Sequence, residues 1–158
     1  MARQPAHMGL TALAPPARWL GFAGLIPQVA LAAVVIGGPP EVASAAVHLA
    51  LCYAALILSF IGGLWWGLAA QPTKRARPWL WLAAVAPSLI AFACLGASVL
   101  GQAPVPLLTI IAIALVATLA IDARLAANGW CAPRWMRLRT TLSLGLAGLS
   151  SLIAAFAP

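Results

Sequence analysis

Residues 19 to 36 contain no ionisable side chain. Coiled into an α-helix at about 1.5 Å per residue, a run of this length covers most of the ~30 Å hydrocarbon core of a bilayer. Four further apolar runs follow, at about 42–70, 79–100, 107–126 and 139–157. Lipid cannot hydrogen-bond a bare backbone, so runs of this kind must close their own N–H and C=O groups as helices. The pattern therefore predicts an all-α fold: a polytopic membrane helix bundle of five transmembrane helices forming one domain over residues 19–157. Residues 1–18 hold Pro5, Pro15, Pro16, Arg3 and Arg18 and read as a short polar tail. The first apolar run is too long for a signal-peptide core and lacks a convincing cleavage site, so it is expected to remain as helix one.

The connections carry the orientation. Gly37-Gly38-Pro39-Pro40 breaks the chain after helix one, and Glu41 stands where an acid suits a new helix N-terminus. All nine Lys and Arg residues fall on one side when the connections are alternated. They are Arg3 and Arg18 in the tail, Lys74, Arg75 and Arg77 in the second connection, and Arg124, Arg134, Arg137 and Arg139 around the fourth. By the positive-inside rule this places the N-terminus in the cytoplasm and the C-terminus outside. Eight Arg to one Lys, with the richness in Ala, point to a GC-rich bacterial genome, so a multi-pass protein of a bacterial inner membrane is expected. Trp19, Trp65, Trp66, Trp79, Trp81, Trp130 and Trp135 cluster on the same side, as a belt at that interface.

A net charge of +7 could suggest nucleic acid, but charged residues are only 7% of the chain and mean hydropathy is +1.03. No soluble platform for a nucleic-acid module remains, and basic loops between apolar spans attract anionic lipid headgroups. Cys52, Cys94 and Cys131 form no C-x-x-C pair, and His7 and His48 do not join them in a ligand spacing, so neither a metal site nor a cofactor is expected. Helix one begins Trp19-Leu20 with Pro27 beyond, and helix three begins Trp79-Leu80 with Pro87 at the same spacing. This echo predicts a matching kink in both spans.

Candidate site residues gather at the basic end. Asp122 lies within a span, where an acid is by default a functional candidate. It is expected either to serve a site or to pair with Arg77, Arg137 or Arg139. Ser59, Gly62, Gly63, Trp65, Trp66 and Gly67 mark the second feature. Gly63-x-x-x-Gly67 predicts close approach of another helix, or else a loosened segment beside a cavity walled by Trp65 or Trp66. Gln28 beside Pro27, and Thr140, Thr141 and Ser143, share the same depth, so any pocket should open toward the cytoplasm.

The segment Tyr53-Ala54-Ala55-Leu56-Ile57-Leu58-Ser59-Phe60-Ile61-Gly62-Gly63-Leu64-Trp65-Trp66-Gly67-Leu68-Ala69 resembles the signature of the transmembrane protein 69-like family, a group without assigned function. Pro87-Ser88-Leu89, Ile121-Asp122 with Arg124, and Pro133-Arg134-Trp135-Met136-Arg137-Leu138-Arg139 resemble the same family in order. The resemblance implies a membrane location but no activity. It departs at Trp65, where relatives often carry a polar or basic residue, which puts any shared polar role of that position in question.

No Ser-His-Asp set, metal-ligand cluster or carboxylate pair is present, so an enzyme is not expected. The first expectation is a non-enzymatic helper or interaction subunit, whose partners would be the lipid bilayer and a membrane protein or a second copy of the chain. The alternative is a binder or carrier of an apolar small molecule, of quinone or lipid type, in a pocket of the cytoplasmic half.

Overall fold

A computed structural model describes residues 15–71 and 78–158. Six helices are arranged as α1 Pro15–Ala23, α2 Ile26–Gly37, α3 Pro40–Ala69, α4 Pro78–Val99, α5 Pro104–Ala127 and α6 Pro133–Phe156. Together they supply five helical spans long and apolar enough to cross a membrane, α1 and α2 forming the first of them as 18–37.

Proline sets where these helices begin. Five of the six open on proline, and α2 carries Pro27 at its second position. The first-turn N–H groups of a helix have no intrahelical acceptor, so a ring that removes one of them and fixes φ near the helical value starts a helix at little cost. None of the N-caps of α2, α3, α5 and α6 makes a side-chain hydrogen bond, which leaves proline as the local start signal. This corrects two boundaries. Residues 15–18, expected as tail, begin α1, the rest of the tail lying outside the described residues, and residues 133–138, expected as loop because of Arg134 and Arg137, form the first turns of α6. At the other helix ends, Gly101 (φ 90°) and Gly129 (φ 70°) adopt the left-handed conformation that terminates α4 and α5. Gln102 N–H then reaches Ala97 C=O at 3.0 Å, and Trp130 N–H reaches Leu125 C=O at 2.9 Å.

The two prolines that echo one another behave differently. At Pro27 the span breaks: Gly24 and Leu25 form a turn, and the Tyr53 hydroxyl donates to the Gly24 carbonyl. At Pro87 helix α4 runs through. There Pro87 is buried, and its ring lies against Gly62 of α3, so packing holds the helix continuous.

Helix α3 is the axis of the bundle and packs against α2, α4, α5 and α6. Its 30 residues extend about 45 Å, more than a bilayer core, so its ends reach the interfacial layers. Ala43, Ala46, Ala50 and Ala54 form a buried stripe at helical spacing. In lipid there is no hydrophobic drive between helices, and small residues that let backbones approach supply the packing. Leu51, Leu58, Ile61 and Trp65 complete this face and meet Leu80 of α4, Leu108, Ile111 and Leu115 of α5, and Ile153 of α6. Large apolar side chains such as Leu20, Phe60, Leu82 and Phe92 point outward. Gln28, Thr118, Asp122, Arg139, Ser143 and Ser150 are buried instead, the arrangement that a hydrocarbon solvent demands.

Candidate functional site

Two groups of polar side chains lie inside the bundle at its basic end. The first centres on Asp122, five residues before the end of α5. Arg139 stands six residues into α6, and the antiparallel run of the two helices brings their side chains level. Arg139 Nε donates to Asp122 Oδ2 at 3.0 Å, and its Nη2 lies 2.9 Å from the same oxygen. The other oxygen, Oδ1, accepts the indole N–H of Trp65 from α3 at 2.8 Å. Thr118 lies one turn before Asp122 on the same face, and its hydroxyl accepts from Arg139 Nη2 at 3.4 Å while donating to Leu115 C=O at 2.6 Å.

The geometry neutralises the charge in place. Asp122 is 1% exposed, so an unpaired carboxylate there would cost several kcal/mol of desolvation. Three donors from two helices remove that cost and tie α3, α5 and α6 together. Of the three arginines anticipated as partners, Arg139 is the one found. Arg137 is exposed at the start of α6, and Arg77 lies outside the described residues. Trp65 is buried in the core, and it supplies through its indole N–H the polar contact that its position was in doubt of making.

The second group borders a crevice of about 330 Å³ between α1, α3 and α6. Gly21 of α1 and Gly24 in the turn after it, Phe60 and Leu64 of α3, and Trp135 and Leu142 of α6 form its apolar walls. Arg139 and Ser143 are the charged and hydroxyl side chains of its lining. Ser143 is 2% exposed and its Oγ has no hydrogen-bond partner. A buried hydroxyl left unpaired costs about 1–3 kcal/mol, and such a group calls for an explanation. A Cβ at Gly21 would lie 3.1 Å from Leu142 Cδ1, so α1 and α6 sit close enough here that a larger residue would make the Leu142 side chain give way.

With both groups in view, relatives can be placed. The sequence model of a family described as "Protein of unknown function (DUF3429)" matches residues 13–156. The chain belongs to that family. A stretch of 85 residues is 42% identical to Transmembrane protein 69 of Xenopus tropicalis, covering 51% of this chain and 32% of that protein. The chain thus matches about a third of the length of this relative. No solved structure matches. The family match spans every residue of both polar groups.

The remaining site residues are dispersed. Gln28 is fully buried and donates to Ser150 Oγ at 3.0 Å, while its own Oε1 has no partner. Ser59 pairs with Ser88 across α3 and α4 at 2.9 Å. Gly62 is the glycine of close approach: an added Cβ would come closer than 3.0 Å to the Ala84 carbonyl oxygen. Gly63 and Gly67 meet no other helix of the described chain: both are exposed, nothing lies within 4 Å of a Cβ built on either, and both line an open recess of about 500 Å³ with Phe60 and Leu68. Successive residues on a helix point about 100° apart, so the face that meets α4 takes Gly62 and turns Gly63 away. Trp66 is half exposed and stacks edge-on against Trp81, with ring centroids 4.8 Å apart. Thr118, Ser150 and Tyr53 were not singled out from sequence. Thr118 alone carried a signal, being four residues before Asp122.

Proposed function

We propose that this protein is a non-enzymatic binder of an amphipathic molecule of lipid or quinone type, which it holds by its apolar part in the crevice between α1, α3 and α6. The observation that carries this reading is a mainly apolar recess whose lining includes Arg139 and Ser143, the latter with a buried, unpaired hydroxyl. An apolar cavity with a small number of placed polar groups is the usual form of a small-molecule site, and this volume falls in the usual range of about 300–1,000 Å³. Ser143 and Arg139 offer hydrogen-bond donors to a carbonyl, ester or quinone oxygen. Asp122 has both oxygens taken by donors, which supports a binding role over a proton-transfer one. The charge asymmetry supports an orientation with the basic end in the cytoplasm of a bacterial cell and the crevice in the inner half of its inner membrane.

Purification in mild detergent followed by native mass spectrometry tests the proposal. The wild-type protein is expected to carry a bound small molecule that Leu142→Trp, which fills the crevice, excludes. A wild-type protein that binds no lipid or quinone, but retains another membrane protein at fixed stoichiometry, would overturn it in favour of the helper role.

A further inference from the structure

We infer that the molecule held in the crevice carries a phosphate head with net negative charge, and that Arg18, Arg134 and Arg137 form its headgroup site. This rests on the crevice reading for the apolar part of the ligand and adds the chemical class of its head. Beside the crevice, at the mouth of the bundle, lies a second recess of about 470 Å³ lined by Arg18, Phe22, Arg134, Arg137, Leu138 and Thr141. Leu138 lines both recesses, so the polar bowl and the apolar crevice share a wall.

Charge balance makes the bowl notable. Two helices, α1 and α6, bring three guanidinium groups to one hollow, and no carboxylate lines it. The chain has only two acidic side chains. Glu41 sits in the first turn of α3, at the opposite end of the bundle, and Asp122 is committed to Arg139 and Trp65. The N-terminal turns of α6 hold Arg134 and Arg137 and no acid, placing cations at the positive end of the helix dipole, where an anion is the favoured occupant. Guanidinium forks match phosphate oxygens in pairs, which a scattered surface charge does not achieve. Topology alone requires basic residues on this side of the membrane. It does not require three of them around one hollow that adjoins a crevice with an unpaired hydroxyl. The geometry thus fits a molecule with a phosphate at the interface and an apolar chain running into the crevice past Leu138 and Leu142 toward Ser143.

The test uses the full chain in mild detergent, titrated separately with phosphatidylglycerol, phosphatidylcholine and inorganic phosphate, with occupancy read by native mass spectrometry. Phosphatidylglycerol is expected to bind about tenfold more tightly than phosphatidylcholine, and inorganic phosphate only weakly. Replacing all three arginines (Arg18→Gln, Arg134→Gln, Arg137→Gln) should abolish that preference while phosphatidylcholine still enters. Arg18→Gln alone, a milder change, should reduce it several-fold and guards against misfolding of the triple variant. Equal binding of the two lipids, or a preference that survives both variants, would overturn the headgroup site. Inorganic phosphate binding as tightly as phosphatidylglycerol would overturn the lipid assignment. If Leu142→Trp blocks both lipids while they bind alike, the crevice reading stands and only this inference falls. If neither lipid binds the wild-type protein, both fail.

Discussion

The two polar regions of the basic end sit within one turn of each other on α6, yet they solve opposite problems. Around Asp122 both carboxylate oxygens have donors, and the group is closed to its surroundings. Around Ser143 an equally buried hydroxyl has none, and its neighbours leave a hollow. Lipid penalises unsatisfied polar groups severely, so the first arrangement reads as an anchor and the second as an incomplete contact awaiting a partner. Arg139 belongs to both: it holds Asp122 with two nitrogens and also lines the crevice.

The comparison breaks most visibly if the anchor is cut. Asp122→Ala or Arg139→Ala strands one buried charge, and each is expected to lower stability by about 3–5 kcal/mol, measured by unfolding in detergent or bicelles. The double variant should lose clearly less than the sum of the two, because no charge is left alone; strict additivity would show that the pair is not coupled. Trp65→Phe removes only the donor to Asp122 Oδ1 and should cost about 1.5–3 kcal/mol, the range for a hydrogen bond to a charged group. Gly62→Ala should cost about 1–3 kcal/mol by forcing α3 from α4, whereas Gly63→Ala, facing open space, should change stability by less than about 0.5 kcal/mol. One effect has the opposite sign. Ser143→Ala relieves an unpaired hydroxyl and should leave the empty protein as stable or up to about 1 kcal/mol more stable, while weakening ligand binding. A loss of stability instead would place Ser143 with the anchor.

Much of this architecture was legible because lipid allows few answers. Long uncharged runs had to be helices, and the placement of nine basic residues separated the two ends of the bundle. The start of α6 was misjudged because arginines suggest loop, whereas long basic side chains on the first turns of a helix can reach the interface from there. Asp122 was found because an acid in a span is conspicuous, and its partner was narrowed to three arginines. The link to Trp65 was not legible: it joins residues 57 positions apart through the relative rotation of two helices. The crevice was legible only as a depth, through Ser143 and Arg139, since a hollow is made of side chains that fail to meet. Rotation also decided between Gly62 and Gly63, adjacent in sequence and opposite in role.

The prolines that open the helices have a consequence for how such a chain tolerates change. A helix whose first residue is fixed by a ring cannot slide along its sequence in search of a better hydropathy window. The vertical register of each span is thereby locked from its start, independently of the residues that face the acyl chains. Outward positions such as Leu82, Phe92 and Val99 are then free to drift among apolar types without shifting Asp122, Arg139 and Trp65 relative to one another.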